Sequence, residues 1–148
     1  MSTVVCFKVG DGDYAIAVES VREVRSGDQL MPLPAPRAGV VGLLQHPEGA
    51  LTVLAALGPG RDHVLLLQHG ERTFGLVVEE VTAVTKVPDE LGDPPDGQQG
   101  RLICGVVTTA HGVALMVDVS ALDEYLDEVG GPDVSTAELV GAVAGVTP

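Results

Sequence analysis

Apolar and polar residues alternate along most of this chain, and the alternation restarts after each glycine- or proline-rich interruption. Val4 to Val9 has the apolar content of a strand, Gly10-Asp-Gly-Asp13 has hairpin-turn chemistry, and Tyr14, Ile16 and Val18 alternate with small residues as a half-buried strand does. From Val18 the spacing changes. Val18, Val21 and Val24 recur at every third position, and Ser20 and Glu23 have the Ser-x-x-Glu form of a capping box. That spacing predicts a helical turn over 18–24 that lays its valines on the core. An extended, proline-restricted connection at Leu30–Pro36 follows, then strands at 39–44 and 50–57 around a turn at 45–49.

The same plan returns. Phe74-Gly-Leu-Val-Val-Glu-Glu-Val-Thr-Ala-Val84 repeats Tyr14 to Val24 without a gap at an offset of 60 (74 − 14), and Val64 to Leu67 then falls on Val4 to Phe7. Gly42 to Gly49 resembles Gly105 to Gly112 at an offset of 63 (105 − 42). The repeat predicts strands at 63–68 and 73–78, a helical turn at 79–84, a polar loop over 88–100 and a last hairpin of strands 102–108 and 113–119. Ser120-x-x-Asp123 is expected to cap a helix through Val129 with Leu122 and Leu126 on one face, and 130–148 to form a tail of weak helical tendency. A two-fold internal repeat points to an architecture before anything else does. The expected fold is all-β, with one half at about 10–60 and the other at about 61–129 together with the N-terminal strand. The two halves share one core, in which Val18, Val21, Val24, Val78, Val81 and Val84 are expected to be buried.

Composition narrows the possible functions. With only two Phe, two Tyr and no Trp, Val, Leu, Ile and Ala must fill the interior. A net charge of −13 and the lack of a basic cluster argue against nucleic acid and anionic membrane surfaces, and favour a basic protein partner. No apolar run approaches the roughly 20 residues of a membrane span, and no signal-peptide pattern opens the chain, so the expected home is the cytoplasm, without membrane insertion. Cys6 and Cys104 lie in apolar strand patterns and read as buried free thiols, with a single disulfide between them as the alternative. His46, His63, His69 and His111 lack metal-ligand spacing, and no paired-carboxylate, nucleophile or phosphate-cradling motif is present. No catalytic residue, metal or cofactor is expected. These residues describe a surface that binds rather than one that reacts.

Phe7-x-x-Gly10, Tyr14-Ala-Ile-Ala-Val18, Val21-Arg-Glu-Val24, Leu33-Pro34, Gly42, Phe74 to Val84, Gly105 and Leu115-Met-Val-Asp118 together resemble the CheW-like domain of bacterial chemotaxis signalling, over about Val4 to Leu126. The resemblance implies two small five-stranded, SH3-like β-barrels around a shared apolar core. It implies a non-enzymatic adaptor that couples chemoreceptors to a CheA-type histidine kinase, whose regulatory domain shares the fold. A stand-alone module sensing a small ligand in the groove between the barrels is the alternative. Val21, Glu23, Gly42, Leu43, His46, Pro47 and Glu48 are the partner-binding residues the resemblance implies. At the hairpin tip the chain departs from the family pattern: Pro47 stands where an arginine is usual, and Ala55 where an aspartate is. The loss of that guanidinium and the added Glu48 predict that an ordinary chemoreceptor tip is not bound in the usual way.

Overall fold

Eleven strands and one helix are formed among the described residues: β1 (Ser2–Val9), β2 (Gly12–Ala17), β3 (Val21–Ser26), β4 (Leu30–Met31), β5 (Val40–His46), β6 (Gly49–Leu54), β7 (His63–His69), β8 (Arg72–Val78), β9 (Glu80–Val87), β10 (Ile103–Thr109), β11 (Gly112–Val117) and α1 (Val119–Gly130). The structure is a computed structural model and describes residues 1–33, 38–47, 49–58, 62–94 and 101–130. Pro34, Pro36, Glu48, the Pro59–Gly60 break, the polar loop at 95–100 and the tail beyond Gly130 therefore lie outside the described residues.

The strands form two sheets, and the pairing does not follow the halves of the chain. One sheet has five strands in the order β10-β11-β2-β1-β9, and the other has six in the order β3-β7-β8-β6-β5-β4. β1 lies beside β9, as expected of an N-terminal strand that belongs with the second half, and β2 of the first half is inserted between β1 and β11. The β7–β8 hairpin is flanked entirely by first-half strands. Registers repeat with the sequence. Phe7 faces Tyr14 in one sheet as Leu67 faces Phe74 in the other, and the parallel contacts Met116–Ala15 and Val53–Gly75 are equivalents. Even the irregularities repeat: the β1–β9 ladder skips Thr82 and the β3–β7 ladder skips Arg22, 60 residues earlier. Likewise β10–β11 skips Cys104 and β5–β6 skips Val41, at the 63-residue offset.

Burial falls into three clusters. Val4, Cys6, Ala15, Val87, Val107 and Ala114 pack on one face of the five-stranded sheet, while Leu44, Leu51, Val53, Val64, Leu66 and Val77 pack on one face of the six-stranded sheet. The largest cluster, which includes Phe7, Ile16, Leu65, Leu67, Phe74, Leu76 and Leu122, draws on both sheets and on α1. Strands such as β7 are thus buried on both faces, which explains why 64–67 reads as an unbroken apolar run.

The helical turns predicted at 18–24 and 79–84 are not formed. Only Val18–Ser20 makes a single 3-10 turn, with no side-chain cap, and β3 and β9 occupy the rest. The cause is the bulge. One extra residue in a strand puts positions three apart on the same face, so Val81 and Val84 stand opposite Phe7 and Val5, both in the shared cluster. Val18, Val21, Val78 and Val81 do meet that cluster, Val78 fully buried and the others in part. Val24 and Val84 do not, at 44% and 62% exposed, on β3 and β9, the end strands of their sheets.

The capping expectation for α1 is also corrected. Asp118, not Ser120, caps it, accepting from the Ser120 amide at 2.9 Å and the Ala121 amide at 3.4 Å. Leu122 and Leu126 lie on the buried face as expected. Gly39, at φ +81°, sits beneath the helix: a Cβ there would lie 2.5 Å from the Tyr125 hydroxyl, so glycine allows both the turn and the contact. Neither cysteine is in a disulfide. Cys6 is buried as expected, but Cys104 is exposed, since the extra residue of a bulge falls out of the inward alternation. Desolvation first, and then Asp118, push the Cys104 thiol pKa up, which keeps its reactive thiolate scarce.

Candidate functional site

β3 carries Val-Arg-Glu-Val-Arg-Ser at one end of the six-stranded sheet, and two of the chain's eight cationic residues are on it. An edge strand presents unpaired backbone groups, and exposed charges on it discourage indiscriminate pairing. Val21 is half-buried against the core, Arg22 and Glu23 are exposed, and Val24 adds an apolar spot.

Arg25 binds this strand to the β5–β6 hairpin. Its Nη1 donates to Glu23 at 3.0 Å, its Nε to the Gln29 side-chain oxygen at 2.6 Å, and its Nη2 to the Gln45 carbonyl at 3.2 Å. One planar guanidinium thus joins β3, the short turn after it and the residue just before the hairpin tip. Of the seven residues implied by the sequence, Glu23 is bonded to Arg25 directly, and His46 and Pro47 follow Gln45, which Arg25 also holds; Pro47 is exposed at the turn, His46 is half-buried, and Val21 lies four residues earlier on β3. Gly42 and Leu43 are instead buried in β5. A Cβ on Gly42 would sit 2.5 Å from the Met31 carbonyl oxygen, so this glycine lets β4 close on β5. Glu48 lies outside the described residues. Sequence reasoning missed Arg25, although the concentration of two arginines in one six-residue strand of so acidic a chain was a signal.

Arg25→Ala should loosen the hairpin without unfolding the protein. Amide hydrogen exchange around 45–49 is expected to rise about three- to tenfold, the range for one to two lost hydrogen bonds. Global stability in urea should change by less than about 1 kcal/mol, because the partners are solvent-exposed. Unchanged exchange would show that Arg25 does not hold the hairpin.

Other charged groups fasten α1. Asp123 lies 2.9 Å from the His69 Nδ1 and 3.1 Å from Arg72, Asp127 lies 2.7 Å from Arg72, and Glu128 pairs with Arg101. Hydrogen bonding to Arg101 is the main reason the Glu128 carboxyl is held below its ordinary pKa. No group of three or more metal-binding side chains occurs among the described residues, and no helix among them is long and apolar enough to cross a membrane. At the opposite sheet a cleft of about 40 Å³ lies between β9 and the β10–β11 hairpin.

The chain is similar in sequence and fold to known proteins. A family model described as the CheW-like domain matches residues 3–125. The chemotaxis protein CheW of Rhizobium meliloti is 29% identical over 124 residues, spanning 68% of this chain and 80% of that protein. A Rhizobium etli protein described as a probable chemotaxis protein CheW is 27% identical over 99 residues, spanning 61% of this chain and 64% of that one, just under two thirds of its length. Among solved structures, the crystal structure of scaffolding protein TtCheW from Thermoanaerobacter tengcongensis superposes with a TM-score of 0.69 at 15% identity, covering 80% of this chain and 84% of that one.

Proposed function

Because this chain belongs to the CheW-like domain family, we propose that it is a non-enzymatic adaptor of a chemotaxis-type signalling array. In this reading it works in the cytoplasm, linking receptors to the regulatory domain of a CheA-type histidine kinase. The observation that carries the proposal is the pinned surface of β3 and the β5–β6 hairpin: a rigid, partly apolar strand edge beside an exposed turn, with Glu23 already engaged by Arg25. A pre-organised surface of this kind loses little entropy on binding. The three apolar clusters, one on each sheet and one between, support the finer reading of two SH3-like barrels sharing a core. The domain then comprises residues 1–129, with 130–148 as an appendage.

The alternative, a small ligand in the groove between the barrels, is separated from the adaptor reading by a thermal-shift screen against a metabolite library. For the receptor the tip chemistry is decisive. Pro47 offers no guanidinium to a partner carboxylate, and Arg25, the nearest substitute, is already committed to three acceptors. Binding is best measured by calorimetry against a CheA-type regulatory domain and, separately, a standard chemoreceptor tip fragment. The kinase domain should bind the unmodified chain. The receptor fragment should bind Pro47→Arg/Glu48→Gly at least tenfold more tightly than the unmodified chain, a charge-pair gain of about 1.4 kcal/mol. Absence of kinase binding sinks the adaptor reading, and equal receptor affinities sink the role given to the tip.

A further inference from the structure

The two sheets offer an internal comparison at equivalent positions. Arg22 and Thr82 are the residues skipped by matching bulges, and Thr73 and Asp13 stand 60 residues apart on matching strands β8 and β2. In the six-stranded sheet the Arg22 guanidinium reaches across to donate to the Thr73 hydroxyl at 3.3 Å, so the chain supplies its own cation there. In the five-stranded sheet the residue in the place of Arg22 is Thr82, too short to span the gap, and a cleft of about 40 Å³ stands open. Around it lie Asp13, Tyr14, Thr82, Thr109 and His111, with the buried Cys6 behind. Asp13 replaces the hydroxyl of Thr73 with a carboxylate, a stronger acceptor for a cation.

We propose that this cleft receives an arginine side chain from a partner protein, in the manner in which Arg22 covers the equivalent place of the other sheet. The walls suit a guanidinium better than an ammonium: a carboxylate and two hydroxyls are spread around the cleft, and Tyr14 supplies an aromatic wall for a flat group. The setting is acidic. Glu79 accepts from the Gly10 amide at 2.9 Å, which puts a second carboxylate at the β1–β2 turn beside Asp11. Among the described residues Asp13 pairs with Lys8, at 3.9 Å in a solvent-exposed pair that a better-placed guanidinium can displace. The inference concerns a different sheet from the adaptor surface, and its test needs neither kinase nor receptor.

The test is a heteronuclear NMR titration of the full chain with acetyl-Gly-Arg-Gly-amide, using the lysine and citrulline peptides as controls. Shifts are expected at the amides of 13–14, 82 and 109–112, with a Kd of roughly 1 mM, and the citrulline peptide should cause none. Asp13→Asn should weaken binding about fivefold. Thr82→Arg, which copies Arg22 into the second sheet, should abolish it by filling the cleft, and both variants change only exposed side chains. The proposal is overturned by no shift at roughly 30 mM peptide. It is equally overturned by citrulline or lysine binding as well as arginine, or by shifts that persist unchanged in Thr82→Arg.

Discussion

Phe74→Ala is expected to lower the stability of this protein by about 3–5 kcal/mol in urea unfolding, the range for deleting a fully buried aromatic ring. Phe74 is 0% exposed, sits on β8 in the interior of the six-stranded sheet, and belongs to the cluster shared by both sheets and α1. The cavity would open where neither sheet can collapse without moving the other. A domain of this size commonly has only about 5–15 kcal/mol in all, so the variant should lie close to the folding threshold. Tyr14, its equivalent in the repeat, is the control. It is half-buried, and its ring stacks on Phe7 at a centroid separation of 5.7 Å. Tyr14→Ala should therefore cost distinctly less. Equal losses at the two positions would show that the shared core is not centred where the burial pattern puts it.

Gly42→Ala is expected to destabilise by about 1–3 kcal/mol through overpacking alone. Its backbone conformation is ordinary, so the cost comes from the 2.5 Å approach of a new Cβ to the Met31 carbonyl oxygen, a backbone atom that can move only if β4 shifts. Gly105, the equivalent position 63 residues on, makes a milder contrast. There a Cβ would meet the Leu91 Cβ at 2.7 Å and the Gly92 carbonyl at 3.0 Å, in a segment joined to β10 by a single bridge at Gly92–Val106. Gly105→Ala should accordingly lower the urea midpoint less than Gly42→Ala does. If Gly42→Ala leaves the midpoint unchanged, β4 is held far more loosely than its pairing with Leu43 and Leu44 implies.

Much of this architecture was legible in the chain, because the repeat preserves strand lengths and turn glycines alike. Val4 to Phe7 and Val64 to Leu67 occupy equivalent strands, and Gly10 and Gly70 both turn at positive φ, 58° and 62°. What misled was Val21-Arg-Glu-Val24 and its copy. A helix and a bulged strand both bring residues three apart to one face, and nothing in the side chains distinguishes them; the pairing partner across the ladder decides. The placing of the N-terminal strand beside the second half was anticipated, but the pairing of β2 with β11 and of β3 and β6 with the β7–β8 hairpin was not, since periodicity reports which face is buried and never which strand lies alongside. The docking surface was legible in part. Glu23 and the hairpin tip stand out by resemblance, whereas Arg25 matters through three contacts, one of them to residue 45.

Because β1 pairs with β9, Ser2 meets Val87 across 85 intervening steps of chain, and the β7–β8 hairpin must likewise await β3 and β6 on its two sides. Contacts so distant along the sequence slow folding, because loop closure comes before any reward from burial. During synthesis the first half emerges with the β1–β2 hairpin already able to form but with no strand on either flank, its Val4, Phe7 and Ile16 still facing water. A ribosome that has made only the first 60 residues holds a β1–β2 hairpin whose flanking strands, β9 and β11, have yet to be made. The β1–β2 hairpin therefore keeps one open edge until β11, at Gly112–Val117, has also been made, and quality-control factors have that interval in which to bind it.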